Sequence, residues 1–331
     1  MFHCAREVYN KARLFACGWI EKMKKKVFID GKEGTTGLQI YERLAVRDDV
    51  QLLTLSEELR KDVEARRDCI NQADIVFLCL PDVAAKESVA LCENDKTKII
   101  DASTAHRTAE GWAYGFSELG DDFKQNIATS TRIANPGCHA SGFISLVYPL
   151  VKAGILPADY PLVAHSITGY SGGGKKMIAQ YESEDREAAL DSPRQYGLTL
   201  THKHIPEMTK VCGLQKTPIF NPIVADFYCG MCVTVPLFSD MLCGEYSSKK
   251  IKDFYMDFYR GKRFVSVAQG EESFLAANPL ANTNEMQIYV GGNDNQILLC
   301  SRFDNLGKGA SGAAVQNMNI ALGLPEDAYL K

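Results

Sequence analysis

The chain predicts a two-lobed α/β architecture: a doubly wound parallel sheet first, then an α+β lobe built on a mainly antiparallel sheet. Three observations predict it. Short apolar runs alternate with helical stretches from Val27 to Asn135, a glycine-rich turn follows the first run, and after Tyr148 successive strands replace that alternation. Strand–helix alternation implies right-handed crossovers and a parallel sheet. At 331 residues the chain is also longer than one compact lobe usually requires.

Val27–Asp30 reads as a short buried strand, followed by the turn and a helix to about Arg47. Gln51–Leu55, Ala73–Leu80, Lys98–Ala102 and Thr131–Asn135 supply the next four strands, the last stopped by Pro136. The second lobe opens with a strand at Leu162–Thr168 that runs into another glycine loop, Gly169–Gly174. Strands follow at Pro218–Ala225, Phe227–Pro236, Met286–Val290 and Gln296–Phe303, with a hairpin turning at Gly291-Gly292-Asn293-Asp294. The small-residue segment Ala310–Leu322 predicts a helix that returns to the first lobe. The resulting division is an extension (1–25), a first lobe (26–137 and 304–331) and a second lobe (138–303).

Composition excludes several classes. Apolar residues make up 46% and charged residues 24%, and the net charge of −4 with no basic stripe gives no nucleic-acid surface. No apolar run approaches the ~20 residues of a membrane span. Eleven cysteines, an odd number scattered through predicted elements, read as buried thiols in a reducing compartment, the cytoplasm, rather than a secreted disulfide framework. Residues 1–25 carry an amphipathic spacing (Val8, Ala12, Phe15, Trp19) without an apolar core or cleavage signal, and read as a non-catalytic extension.

The first turn, Gly31-Lys32-Glu33-Gly34-Thr35-Thr36-Gly37, is spaced G-x-x-G-x-x-G between strand and helix. Glycines there permit close backbone approach to a pyrophosphate, and the helix N-terminus offers donors and partial positive charge. That pattern predicts a Rossmann-type dinucleotide site at Gly31, Gly34, Thr35, Thr36 and Gly37. At the end of the second strand Ser56 stands where an acidic residue commonly holds the ribose of NAD, with Arg60 and Lys61 close behind. A hydroxyl and cations suit a 2′-phosphate, so the cofactor predicted is NADP(H); Glu57 and Glu58 are adjacent, and a solvated helix face is the bland alternative for the cations.

Asn135-Pro136-Gly137-Cys138-His139 ends the fifth strand immediately before an apolar helix. Cys138 therefore starts a helix, where the macrodipole favours a thiolate, and it lies beyond the strand ends where ligands of such sheets bind. A thiol nucleophile needs an acid–base partner. His3 lies in the extension, His165 falls inside a strand as a core residue, and His139 points elsewhere if the helix has begun. His106, His202 and His204 remain. In Thr201-His202-Lys203-His204-Ile205-Pro206-Glu207 the two histidines share one face of an extended segment ahead of a helix starting at Pro206. A metal would need a third ligand at diagnostic spacing, and none stands out. Cys229-Gly230-Met231-Cys232 is the chain's one C-x-x-C; as part of a strand it sends its cysteines to opposite faces.

Together these residues resemble the N-acetyl-γ-glutamyl-phosphate reductases in their shorter form, within the aspartate-semialdehyde dehydrogenase-like superfamily. The resemblance runs from about Lys26 to Leu324. It rests on Val27–Gly31 with the glycine turn, Asp101–Arg107, Asn135–Cys138, His202–Glu207 and Asp304–Ala310. It implies NADPH-dependent reduction of an acyl phosphate through a thioester on Cys138, with His204 as acid–base residue and His202 as a substrate contact, in a homodimer or homotetramer. Ser171, Gly172 and Lys175 in the second glycine loop, together with Arg107, suit an anionic group of substrate. Asn305, Lys308 and Gln316 fall where the family brings its C-terminal segment back to the nicotinamide. An aspartyl or aminoadipyl phosphate remains open as substrate. A Cys/His hydrolase or acyltransferase, or a non-catalytic NADPH-binding protein, would leave either the glycine turn or Cys138 without a purpose.

Overall fold

The computed structural model describes residues 24–331. The reading of the extension, with His3, therefore falls outside the described residues for all but its last two positions.

The first sheet is built as the alternation predicts. Strands β1 (Lys25–Asp30), β2 (Val50–Leu53), β3 (Ile75–Leu78), β4 (Lys98–Asp101), β5 (Ala113–Tyr114) and β6 (Arg132–Ala134) form a wholly parallel sheet in the order β2-β1-β3-β4-β6-β5. Helices α1 (Thr35–Ala45), α2 (Val63–Gln72), α3 (Asp82–Ala90) and α4 (Asp121–Thr129) make the crossovers. β3 is buried throughout, as expected of a strand covered on both faces. The two-residue β5 is unforeseen, and the second strand stops at Leu53 rather than Leu55, which frees Thr54 and Leu55 to line a cavity.

Helix α5 (Cys138–Lys152) joins the lobes. Phe143, Leu146, Val147 and Leu150 are fully buried in the larger apolar core, each contributing about 1.5–3 kcal/mol of burial free energy. Gly142 allows the close approach: a Cβ there would stand 2.8 Å from Cβ of Val233. The strand carrying Val233 belongs to a seven-stranded sheet of β7 (Val163–Gly169), β8 (Arg194–Gln195), β9 (Ile219–Ala225), β10 (Met231–Phe238), β11 (Val265–Val267), β12 (Met286–Gly292) and β13 (Gln296–Phe303). Its order is β11-β12-β13-β10-β7-β9-β8. Four of its six pairings are antiparallel; β7 with β9 and β11 with β12 are parallel. The predicted hairpin joins β12 to β13, closed by Asn293 N–H donating to the Gln296 carbonyl at 2.8 Å. Helix α6 (Gly174–Tyr181) follows the second glycine loop, α7 (Ile205–Val211) the histidine pair, and α8 (Ser248–Phe258) packs on β12.

Two expected details change. The segment 226–229 bends, and Gly230 takes a φ of +114°, so β10 starts only at Met231. Cys229 is thus outside the strand, and Cys232 contacts Cys300 on β13 instead. His165 is exposed rather than a core residue, because it lies on the sheet face opposite α5. On that open face Ile167, Ile219, Leu298 and Phe238 are likewise exposed.

The tail returns to the first lobe. A π-helical turn at Gly307–Ser311 leads into α9 (Gly312–Ala321), whose Ala314, Val315 and Met318 are fully buried beside residues of β1, β3 and β4. No helix of the described residues is long and apolar enough to cross a membrane.

Candidate active site

Two cavities open beyond the carboxyl ends of the first sheet. One, of about 600 Å³, is bordered by Phe28, Leu52, Leu53 and Leu80, with Gly31 and Lys32 of the glycine turn and Arg60 and Lys61 at its edge. Ser56, predicted beside them, is exposed and outside that lining. Gly31 holds a φ of +88°, and a Cβ on Gly37 would stand 3.0 Å from Lys32 Cα and nearer still to the Gly31 carbonyl oxygen, so the turn closes only with glycine at both positions. Gly34 caps α1 without a side-chain hydrogen bond. The first-turn N–H groups of Thr35, Thr36 and Gly37 have no helical acceptor, as an anion site requires. An apolar slot, cations and a bare helix start together fit a dinucleotide. Asp30, at the end of β1, also borders this cavity, and Arg66 and Ser88 both bond its Oδ2, at 3.0 and 2.8 Å.

The second cavity, about 280 Å³, is where the predicted chemistry converges. Thr36 of the first turn, Arg107, Cys138, His202, His204, Gly172 and Asn305 all border it. The two glycine loops face each other here, Thr35 Oγ1 lying 3.7 Å from where a Cβ on Gly174 would stand. Cys138 is the first residue of α5, with the His139 backbone N–H beside its sulfur. Burial nevertheless pushes the Cys138 thiol up, opposed by Arg107, that N–H and Lys203. Burial, then Arg107, holds His204 far below the usual histidine range, and burial holds His202 down to about 4. The resting pair is therefore a thiol beside neutral imidazoles. A Cβ on Gly137 would stand 2.6 Å from His204 Nε2, which puts this ring against the turn carrying Cys138. His204 Nδ1 is buried without a partner.

His202 and His204 meet as expected, their rings perpendicular with centroids 4.8 Å apart, although the chain there is a turn and His204 has helical backbone angles. His139 requires a correction. Its ring does not turn away but joins this cluster, 5.6 Å from His204, because the first residues of α5 still face the cavity. Arg107 is anchored by three acceptors: the Asn135 carbonyl at 3.0 Å, the Ala102 carbonyl at 3.0 Å and Glu207 Oε2 at 3.1 Å. One N–H on each terminal guanidinium nitrogen remains for a ligand. Glu207 also accepts from Tyr114 Oη at 2.7 Å and from the Gly137 N–H at 2.9 Å, clamping the arginine to the cysteine turn.

Other predicted residues sit elsewhere. Ser171 is buried and accepts from Asn305 Nδ2 at 3.1 Å, while Asn305 Oδ1 accepts from the Gly230 N–H at 2.8 Å, so this pair braces the loop from behind. Lys175 is exposed on α6 and does not border the cavity. Lys308 and Gln316 are turned inward: Lys308 Nζ donates to Glu118 at 2.6 Å and Gln316 Oε1 at 2.7 Å, in a buried polar cluster. Their neighbours Gly309 and Ala310 form the cavity wall instead. His106 bonds Asp101 at 2.6 Å and stacks on Trp112, outside both cavities. Lys203, Tyr196 and Glu207 join the site beyond the residues the motifs single out. Lys203 and Glu207 lie inside the His202–Glu207 motif, which is their signal in the sequence; Tyr196 carries no local signal.

A glycine turn and a half-buried cysteine bordering one cavity define a two-lobed nucleotide-binding enzyme, and comparison with known proteins agrees on that class. The semialdehyde dehydrogenase NAD binding domain matches residues 26–126 and the semialdehyde dehydrogenase dimerisation domain matches 138–305. The chain is 46% identical over 320 residues to N-acetyl-gamma-glutamyl-phosphate reductase 2 of a Nostoc species, covering 93% of this chain and 99% of the relative. It is 48% identical over 309 residues to the N-acetyl-gamma-glutamyl-phosphate reductase of Brucella anthropi, covering 91% and 99%. The chain belongs to the N-acetyl-γ-glutamyl-phosphate reductase family of oxidoreductases. Aspartate semialdehyde dehydrogenase II from Vibrio cholerae shares the fold, at a TM-score of 0.69 and 16% identity over 91% of this chain and 99% of that one.

Proposed function

We propose that this chain reduces N-acetyl-γ-glutamyl phosphate to N-acetylglutamate 5-semialdehyde and inorganic phosphate with NADPH, through a thioester on Cys138, in arginine biosynthesis. The observation that carries the reading is one cavity bordered by Cys138, His204, Arg107 and Thr36 of the glycine turn.

His204, neutral at rest, takes the thiol proton as Cys138 Sγ adds to the acyl carbon. The free N–H groups of Arg107 and the Lys203 ammonium receive the phosphate, which departs as the C–O bond breaks, takes one proton from solvent to leave as hydrogen phosphate, and leaves the thioester. Thr35, Thr36 and Gly37 would hold the pyrophosphate of the dinucleotide, and Arg60 and Lys61 its 2′-phosphate. A reduced nicotinamide supplies hydride when bound. The resulting alkoxide on the thioester carbon collapses with C–S cleavage, freeing the aldehyde and returning the thiolate; the proton taken up by His204 goes back to the sulfur. Of the predicted substrate contacts, His202 and Gly172 stay in this scheme as cavity walls, and Ser171 as a brace behind them. Two copies would pair through the open face of the second sheet, where Ile167, Ile219, Leu298 and Phe238 lie exposed. We assign the protein to the cytoplasm.

The test is the reverse reaction, phosphate-dependent NADP⁺ reduction with N-acetylglutamate semialdehyde, run beside NAD⁺. Cys138→Ser should abolish turnover yet keep NADPH binding. Substantial residual turnover rules out the thioester, and a preference for NAD⁺ rules out the 2′-phosphate assignment.

A further inference from the structure

Behind the cysteine lies a hydrogen-bonded chain that the reaction scheme does not use. Ser166, fully buried on β7, places its Oγ 2.7 Å from His139 Nδ1, and His139 Nε2 lies 2.7 Å from Tyr196 Oη. Tyr196 follows the edge strand β8, is fixed by its N–H donating to the Pro222 carbonyl at 3.0 Å, and borders the cavity holding Cys138.

The direction of the chain follows from counting hydrogens. A neutral imidazole carries one N–H and one bare nitrogen. Burial holds His139 down to about 3, so the ring is neutral across the working range. His139 Nδ1 is the one hydrogen-bond partner of the Ser166 hydroxyl among the described residues. If Nδ1 carried the proton, the Ser166 hydrogen would be buried with no acceptor, an unfavourable arrangement. Ser166 therefore donates to Nδ1, and the proton sits on Nε2, which donates to Tyr196 Oη. The tyrosine oxygen accepts from within, and its own hydrogen must point outward. No protein acceptor among the described residues takes it.

We propose that Tyr196 is a hydrogen-bond donor to the acyl oxygen of the substrate beside Cys138, and that Ser166 and His139 are positioning residues that set its polarity. The acyl oxygen gains negative charge as sulfur adds, and a fixed O–H aimed at it stabilises that charge more than the ground-state carbonyl. Burial holds the Tyr196 hydroxyl above the usual tyrosine range, so it keeps the hydrogen it donates. The inference rests on the reading that this cavity binds the acyl phosphate.

Two experiments test it. In the unliganded wild-type enzyme, ¹⁵N-histidine NMR with His139 assigned by its loss in His139→Phe should show Nε2 protonated and Nδ1 bare; a proton on Nδ1 overturns the relay. In kinetics, Tyr196→Phe should lower kcat/KM for the acyl phosphate by about 10²-fold with KM for NADPH unchanged. Ser166→Ala should cost about tenfold in wild type and nothing further once Tyr196 is phenylalanine. A Tyr196→Phe enzyme within about twofold of wild type removes the donor, and an equal Ser166→Ala loss in both backgrounds removes the relay. Absence of any acyl-phosphate turnover in wild type would instead reject the functional reading, and the NMR result stands apart from it.

Discussion

Gly137→Ala isolates geometry from chemistry, because it adds one methyl and removes no functional group. Gly137 has a φ of −80° and ψ of 147°, which alanine adopts without strain. The new Cβ would stand 2.6 Å from His204 Nε2 and 2.8 Å from its Cε1, with Arg107 closer still. Comfortable contact needs about 3.5 Å, so the imidazole and the guanidinium must each retreat by roughly 1 Å. A misplacement of that size costs about 10²-fold in rate, or ~2.7 kcal/mol of transition-state stabilisation. Overpacking a buried turn costs about 1–3 kcal/mol of stability, so the variant stays folded. The assay is kcat/KM in the reverse direction beside thermal unfolding and NADPH titration. The expected result is the 100-fold loss in a folded protein with undiminished NADPH affinity, since the dinucleotide cavity is untouched. Turnover within about threefold of wild type would show that neither Arg107 nor His204 needs its observed place.

Two further outcomes follow from electrostatics. Lys203 favours the Cys138 thiolate and disfavours protonation of His204 and His202, so Lys203→Ala should move the rising limb of the kcat/KM–pH profile to higher pH, less in high salt; a limb that stays or moves to lower pH contradicts this. His139 and His204 are buried with depressed proton affinity. An unfolded histidine titrates near 6.5, so their contribution to stability is full above that pH and is lost below it, by up to ~1.4 kcal/mol per pH unit for each ring. The urea midpoint should fall between pH 7 and 5.5, and a flat midpoint refutes the burial argument.

The parts legible in the sequence are those that local chemistry dictates. The run of β1, the glycine turn and α1 declares itself, because only glycine closes that turn. Cys138 is marked by Pro136 and Gly137 ahead of an apolar helix. The two-residue β5 has no length over which to show a period. The parallel β7–β9 pairing is set by the path between the strands, 49 residues from end to start, rather than by either strand's own pattern. Lys308 looks like a ligand-seeking cation in sequence, but its partner Glu118 lies 190 residues earlier. For His139, spacing tells which helix face the ring leaves from, not how far the cavity extends around a helix end. Tyr196 enters the site only through pairing of β8 with β9, which no short window contains.

Cys138 is flanked by glycines on both sides. Gly137 leaves room for Arg107 and His204, and a Cβ on Gly309 would stand 2.9 Å from Cys138 Cβ. Glycines therefore stand on two sides of the nucleophile, and a glycine position offers no side-chain route to adjustment. Divergence toward longer or shorter acyl substrates must then be written elsewhere on the cavity lining, at Met177, His202 and Val224. Libraries aimed at new substrates should be drawn there, with the two glycines held constant.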